Sequence, residues 1–439
     1  MRKMQQVGLC VAIVACALFA AGVATSNTQL WHPAAVIAGA GFAIGLGASS
    51  VLRTYQFTAW IVAGATAAMI YPSRLQQFGT FDLHDKTLIL VIMQLVMFGM
   101  GTQMKLRDLV GVARMPHAVI VGIVLQFTVM PLAGFALAST LGFSPEVAAG
   151  IVLVGSCPSG LASNVMSFLA KANLPLSITL TSLTTLMAPI ITPLWMKVLA
   201  GRMIPVNVPA MMMEIVKLII VPIAAAMLDD YLERASLRGR RIVVATAVVA
   251  VLLLISALVG WNYLESQFSK NALDIARVFG FFLGAVVVGV VYHGIRVQVP
   301  AVARAMPAVS MLGIIYVTTV TIAAGRDRLL VIGPLLLVAV ITHNSIGYVL
   351  GYWLSRACRL DEKSCRTVAI EVGLQNGGMA VTIANALNQL STLGLAAAVF
   401  NPWMNFSGSI LANYWRRRPV SEESTSDAAH DGASRNRST

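Results

Sequence analysis

The sequence predicts an all-α integral membrane protein of about fourteen transmembrane helices. Three observations carry that prediction. Of the 439 residues, 57% are hydrophobic and 11% are charged, with a mean hydropathy of +0.79; soluble domains carry about a quarter charged residues. Apolar runs of about 18 residues or more recur from end to end, each able to cross ~30 Å of hydrocarbon. Such runs must satisfy their own backbone groups, which favours helices. Finally, the basic residues gather in alternate loops.

The segments follow in order. The first, 7–25, lies between Arg2-Lys3 and "AAGVATS" and reads either as a retained helix or as a cleaved signal peptide. Arg53 divides 34–52 from 54–71. Segment 87–103 follows Lys86, and 117–140 carries Gln126 within "LQFTVMP". Segment 147–170 is interrupted by Pro158, Ser159 and Gly160, and 175–199 bears Ser177, Thr181 and Thr184 along one stripe. Segment 209–228 holds Glu214 and Lys217, three apart on one helical face, read as a pair snorkelling to the interface. Segments 242–262 and 276–293, then 306–323 and 329–355, continue the series. Segment 364–390 is interrupted near 375–378, and 392–415 carries Asn401, Asn405 and Ser409 on a stripe. The tail from Pro419 to Thr439 is polar and serine-rich, and is expected to be disordered.

The net charge of +13 raises the question of nucleic acid. That partner is rejected, because the basic residues are spread through short loops. With the N-terminus in the cytoplasm, inner loops hold about twenty Lys and Arg, outer loops about eight. Both termini are therefore expected inside, in the plasma membrane or a bacterial inner membrane, with the lipid bilayer as partner. Five cysteines, Cys10, Cys16, Cys157, Cys358 and Cys365, show no zinc or disulfide spacing.

The acidic residues narrow the search for a site. Glu371 lies deep in an apolar segment with no Lys or Arg further into the membrane at helical spacing, and Arg366 behind it. A charge at mid-helix costs about 2.5–3.5 kcal/mol on insertion scales. Such a group is expected to face an interior cavity and bind a cation. Gln375 lies one turn on, and Gly377-Gly378 is poor helix material. Unwinding there would free carbonyls beside a carboxylate and an amide. This hard-oxygen set suits sodium or a proton. The earlier stretch "GSCPSGLASNVMSFLA", 155–170, places the same kind of break in the other half, followed by Ser163 and Asn164. Paired interrupted segments point to an inverted-repeat secondary transporter. The units expected are 54–200, the first repeat; 201–418, the second repeat; and 419–439, the tail.

These stretches resemble the bile acid:sodium symporter (BASS) family over roughly residues 54–415. The strongest match is "EVGLQN", 371–376; "CPSGLASNVMSFLAKANLPLSITLT", "LVMFGMG", "THNSIGY" and "FSGSILANYW" also fit. The resemblance implies a core domain with two crossing interrupted helices, a panel domain beside it, and two sodium sites behind the crossing. It also implies that 1–53 are two extra helices and that the second repeat carries an insertion near 242–293. Carried over by position, Ser163, Asn164, Ser177, Thr181 and Glu371 form the first sodium site. Gln126, Glu371 and Gln375 form the second with the carbonyls of Val372 and Leu374. Asn376, Gly160 and Leu161, with Asn405 and His343, are assigned to a small organic anion such as a bile acid, keto acid or pantoate-like carboxylate. The family's usual Gly-Gly-Thr-like stretch is Ser159-Gly160-Leu161 here, so a hydroxyl near the substrate is missing.

The expected function is sodium-coupled symport of an organic anion by alternating access, with no organic cofactor. Proton coupling or antiport through Glu371 is the alternative within transport, and a non-transporting anion sensor the alternative outside it. A hydrolase using Cys157 or Ser159 is set aside, because the nucleophile needs a base within reach and His343 is the sole deep histidine.

Overall fold

The computed structural model describes residues 2–49, 52–105 and 115–420. Arg107 and Arg114 of one expected inner loop, and the tail from residue 421 on, lie outside the described residues. The described chain is almost entirely helical. Its strands are one hairpin, β1 (Gln77–Phe78) and β2 (Phe81–Asp82).

The helices are α1 (Arg2–Ala24), α2 (Thr28–Gly45), α3 (Gln56–Ile70), α4 (Pro72–Gln76), α5 (Lys86–Gly101) and α6 (Pro116–Thr140). Two half-helices follow, α7 (Pro145–Ser156) and α8 (Ala162–Leu169), and then α9 (Leu174–Trp195). α10 (Val208–Ile215) runs through a π turn into α11 (Val221–Arg234). The stretch expected as an insertion contains α12 (Leu237–Val259), α13 (Trp261–Gln267) and α14 (Lys270–Gln298). The chain closes with α15 (Ala301–Ala324), α16 (Arg326–Ala357), α17 (Glu362–Gly373), α18 (Gly377–Ala386) and α19 (Leu393–Arg416).

Among the described residues, nine helices are long and apolar enough to cross a membrane, and α3, α5 and α7 are shorter apolar helices. The protein is a multi-pass membrane protein. The two interrupted segments fall outside the nine for a physical reason: each is split into pieces of twelve residues or fewer. α2 starts at Thr28 and ends at Gly45, several residues before the range read from hydropathy. Asn27 sets that start by accepting from the Gln29 N–H with its side chain, as N-cap residues do.

The packing divides the helices into two groups. α6 to α9 and α16 to α19 enclose the two interruptions; α3, α5, α11 and α15 form a second layer, which meets the first along α18 and α19. Glycines permit the closest approaches. A Cβ on Gly347 of α16 would lie 2.9 Å from the Cα of Gly373 in α17. α1 and α2 pack on one another, and α2 packs on α3. α12 packs on α14, and α14 packs on α11.

Polar side chains at the edge of this second layer are paired. Lys217 meets Glu214 at 3.0 Å, as the three-residue spacing predicts. α14 is pinned by Asp229 on α11, which takes His293 Nδ1 at 2.8 Å and Arg296 Nε at 2.8 Å. Arg296 also reaches Glu233 at 3.1 Å.

Candidate ion and substrate site

An interrupted helix leaves N–H and C=O groups that cannot be paired within it. Here each interruption satisfies the other. Gly160 N–H donates to the Leu374 carbonyl at 3.2 Å, and Asn376 N–H donates to the Pro158 carbonyl at 2.8 Å. Ser159 and Gln375 thus form a single antiparallel bridge where the segments cross. A Cβ on Gly160 would lie 3.0 Å from the Gln375 carbonyl oxygen, so the close approach requires a glycine or a shift. The second interruption comprises Leu374 to Asn376, slightly before the glycine pair. Gly377 and Gly378 open α18 as helical residues, because Asn376 caps them by accepting from the Met379 N–H at 3.0 Å.

The carboxylate of Glu371 sits at the end of α17 and is 1% exposed. Ser177 donates to it at 2.5 Å and Thr181 at 3.0 Å, both from α9. The register of the two helices places them there. One turn before Ser177, Asn173 caps α9; one turn before Glu371, Thr367 accepts from the Asn173 N–H at 2.9 Å. Asn173 also donates to Ser364 at 3.1 Å. α9 and α17 therefore start side by side, and the next turn brings Ser177 against Glu371.

Other expected members of the first ion set join this cluster. Asn164 Oδ1 lies 2.9 Å from Ser177 Oγ and 3.3 Å from Thr181 Oγ1. Ser163 Oγ lies 3.2 Å from Thr181 Oγ1 and donates to the Gly160 carbonyl at 2.7 Å, while Ser159 donates to Ser163 at 3.1 Å. The cluster is rich in oxygen and poor in protons. Ser159 and Ser163 spend theirs on Ser163 and Gly160. Ser177 and Thr181 have one proton each for two carboxylate oxygens and the Asn164 amide oxygen. Arg366 does not relieve the charge: it pairs with Glu362 at 2.8 Å and with the Arg418 carbonyl at 2.9 Å. One carboxylate among neutral oxygens balances one monovalent charge, and hard oxygens suit a hard cation. Among the described residues, no group of three or more His, Cys, Asp or Glu forms a site for a softer or more highly charged metal.

The second ion set is assembled in part. Gln126 on α6 donates to Gln375 Oε1 at 3.0 Å and to the Cys157 carbonyl at 3.2 Å. Gln375 in turn donates to the Val372 carbonyl at 2.7 Å. The Leu374 carbonyl is engaged by Gly160. Gln126 Oε1 is buried without a partner among the described residues, an acceptor free for a cation.

The expected substrate residues divide. Asn376 and Gly160 lie at the crossing, and Leu161 stands half-buried at the start of α8. Asn405 instead donates to the Asn401 carbonyl at 2.7 Å, within its own helix. His343 is held at 2.9 Å from the Met130 carbonyl and against the Phe400 ring, and its hydrogen bond goes to neither interruption. Thr184 likewise donates within α9, to the Leu180 carbonyl at 2.8 Å. Two participants were not singled out as site residues from the sequence. Ser159, weighed there as a nucleophile, is a hydroxyl of the oxygen cluster around Glu371, donating to Ser163. Asn344, beside His343 in the chain, donates to the Gly373 carbonyl at 2.8 Å and accepts from Ser407 at 2.6 Å, which fixes the end of α17. A second amide in the apolar run "THNSIGY" was the available signal.

Residues 90–266 match the sodium bile acid symporter family. The chain is 30% identical over 375 residues, 85% of its length and 95% of the relative's, to the uncharacterized sodium-dependent transporter YocS of Bacillus subtilis. It is 26% identical over 361 residues, 82% of this chain and 73% of the relative, to the probable chloroplastic sodium/metabolite cotransporter BASS1 of Arabidopsis thaliana. Over 323 residues, 72% of this chain and 75% of the relative, it is 27% identical to the ileal sodium/bile acid cotransporter of Homo sapiens.

Proposed function

The chain belongs to the sodium bile acid symporter family, and from that premise we propose that it carries a small organic anion with sodium by alternating access. Its relatives are sodium-coupled transporters, a class that makes and breaks no covalent bonds; Cys157 and Ser159 are accordingly not nucleophiles. The observation that carries the proposal is the setting of Glu371. It is buried, faces Ser177 and Thr181, and has no ion-pair partner among the described residues.

In this reading sodium enters the oxygen cluster of Glu371, Asn164, Ser163, Ser177 and Thr181. A second sodium is held by Glu371, Gln126, Gln375 and the carbonyls of Val372 and Leu374. The two ions neutralise the carboxylate and hold the crossing, and the anion binds at Asn376, Gly160 and Leu161 beside the half-helix N-termini. Fourteen crossings, counting each interrupted pair as one, bring both termini to the cytoplasmic face. α6 to α9 with α16 to α19 form the moving core, and α3, α5, α11 and α15 the panel. Ions and anion favour one arrangement together, and linkage makes their coupling reciprocal.

The test is uptake into proteoliposomes under an imposed sodium gradient at fixed pH, which also separates sodium from proton coupling. Glu371→Ala is expected to abolish sodium-dependent uptake while leaving the protein folded in detergent. Wild-type uptake by that variant would reject the ion assignment.

A further inference from the structure

Polar side chains do not end at Glu371. They continue away from the crossing, towards the end where α8 stops and α9 and α17 begin, on three facing stripes. On α17, Ser364, Thr367 and Glu371 share one face. On α9, Asn173, Ser177 and Thr181 follow one another at four-residue steps. On α8, Ser163 and Asn164 reach Thr181 and Ser177 of α9. Ser167 lies four residues after Ser163 and three after Asn164, so it faces α9 as well. Ser167, Ser364 and Thr367 are buried. The run from Ser364 to Glu371 is about 10 Å long, from the rise of a helix.

Two observations distinguish this run from ordinary packing. Ser167 is 0% exposed, and its Oγ has no hydrogen-bond partner among the described residues. A buried serine in a helix commonly bonds a carbonyl one turn back, and one left unpaired is costly unless something polar visits it. At its far end the run opens on a cavity of about 360 Å³ lined by Pro116, His117, Asn173, Arg359, Asp361 and Ser364. Asn173 and Ser364 thus belong to both. The charges of Arg359 and Asp361 offset one another there, and Asn173 and Asp361 tie up first-turn donors by capping α9 and α17. A single knot separates the cavity from the cluster. Asn173 Nδ2 donates to Ser364 at 3.1 Å, its N–H donates to Thr367 at 2.9 Å, and Thr367 donates to its carbonyl at 3.1 Å.

We propose that sodium leaves the Glu371 cluster through this run, between α8, α9 and α17, with Asn173 as its gate, and reaches the cytoplasm at the cavity by a route the anion does not share. This rests on the symport reading and the orientation given with it. The lining is hydroxyl, amide and carbonyl oxygen, which suits a hard cation. An anion entering the run would meet the Glu371 carboxylate. Parting the first turns of α9 and α17 undoes the knot and opens the run.

The test uses silver ion, a monovalent cation that binds thiols, in chloride-free buffer. Ser167→Cys is placed in a full-length chain whose five cysteines are replaced by alanine, and a thermal shift in sodium shows that it is folded. Silver is expected to block later thiol labelling about tenfold faster in inside-out than in right-side-out membrane vesicles. Equal rates, or a faster block from the outer side, would overturn the proposal. Rates of release are then read by diluting purified protein loaded with radioactive sodium into potassium. Ser167→Val is expected to slow release about fivefold while sodium half-saturation stays within about twofold of wild type. Asn173→Ser, which can still cap α9 but no longer reaches Ser364, is expected to speed release about threefold. It serves alone if the valine variant does not purify. Unchanged release in the variants that bind sodium overturns this proposal and leaves the symport reading standing. A wild-type chain with no thermal shift in sodium overturns both. Cys358, exposed at the end of α16 beside the cavity, reports the orientation. Labelling of a chain retaining that cysteine alone by an impermeant maleimide in right-side-out vesicles only would overturn the cytoplasmic exit.

Discussion

Glu371 is buried with hydroxyl donors that only partly satisfy it, which leaves its charge to be balanced by something that binds there. Ser177 and Thr181 each supply one hydrogen, and the oxygens they face outnumber what they can donate. Thr181→Val keeps the shape of the side chain and removes one oxygen. Its expected effect is about a tenfold rise in the sodium concentration for half-maximal binding, equivalent to ~1.4 kcal/mol, read by titration with radioactive sodium. Thr184→Val, one turn away on the same stripe, is expected to leave that value unchanged, because Thr184 is bonded to the Leu180 carbonyl of its own helix. A shift of equal size in both would show that the threonine stripe acts through helix stability. The polar stripe marked Ser177, Thr181 and Thr184 alike, and the resemblance to the family alone picked out Thr181 over Thr184. The two share a stripe, and the physical difference is the partner: Glu371 across the interface for Thr181, the Leu180 carbonyl of its own helix for Thr184. His343 and Asn405 illustrate the same limit. A polar residue in an apolar run announces that it needs a partner, and does not say whether that partner is a ligand or the backbone carbonyl these two found.

At the scale of elements, the two interruptions were legible because their causes are local. Pro158 has no N–H to donate, and the residues around Gly377 and Gly378 favour a helix start over a continuous helix. That they cross was expected from the family resemblance alone, and their backbone pairing was not legible. It depends on segments more than 200 residues apart meeting at one point, and nothing near either end encodes that. The role of the glycine pair also changed: Gly377 and Gly378 begin α18, and their lack of side chains admits Asn401 and Met93. The crossing itself is the element to test. Gly160→Ala places a Cβ 3.0 Å from the Gln375 carbonyl oxygen, and that oxygen belongs to backbone that cannot swing aside like a long side chain. The substitution is expected to lower the melting temperature by several degrees, consistent with about 1–3 kcal/mol for overpacking, and to weaken the stabilisation that sodium provides. An unchanged response to sodium would mean that the ion cluster tolerates separation of the two interruptions.

At the scale of the whole molecule, the helices expected as additions to the two repeats pack away from the breaks. The pair α1 and α2 packs on α3, and the insertion α12 to α14 packs on α11. Apolar runs located the helices at 242–262 and 276–293 and the family resemblance marked them as an insertion, but their attachment rests on Asp229, which hydropathy reads as one more residue near a loop. Asp229 is buried at 8% exposure and holds both His293 and Arg296. Removing it leaves His293 without its acceptor and Arg296 with Glu233 as its remaining ion-pair partner. Asp229→Ala should therefore cost about 2 kcal/mol, less than the ~3–5 kcal/mol of a fully orphaned buried charge because Glu233 remains. If the insertion is a fixed extension of the panel, that loss appears as a lower melting temperature with sodium half-saturation within about twofold of wild type. The physical reason is separation: Asp229 shares no partner with the Glu371 cluster, and distant sites contribute nearly independently. A variant with unaltered melting temperature but a displaced sodium titration would show instead that the insertion is coupled to the crossing, and that these helices take part in the transport cycle.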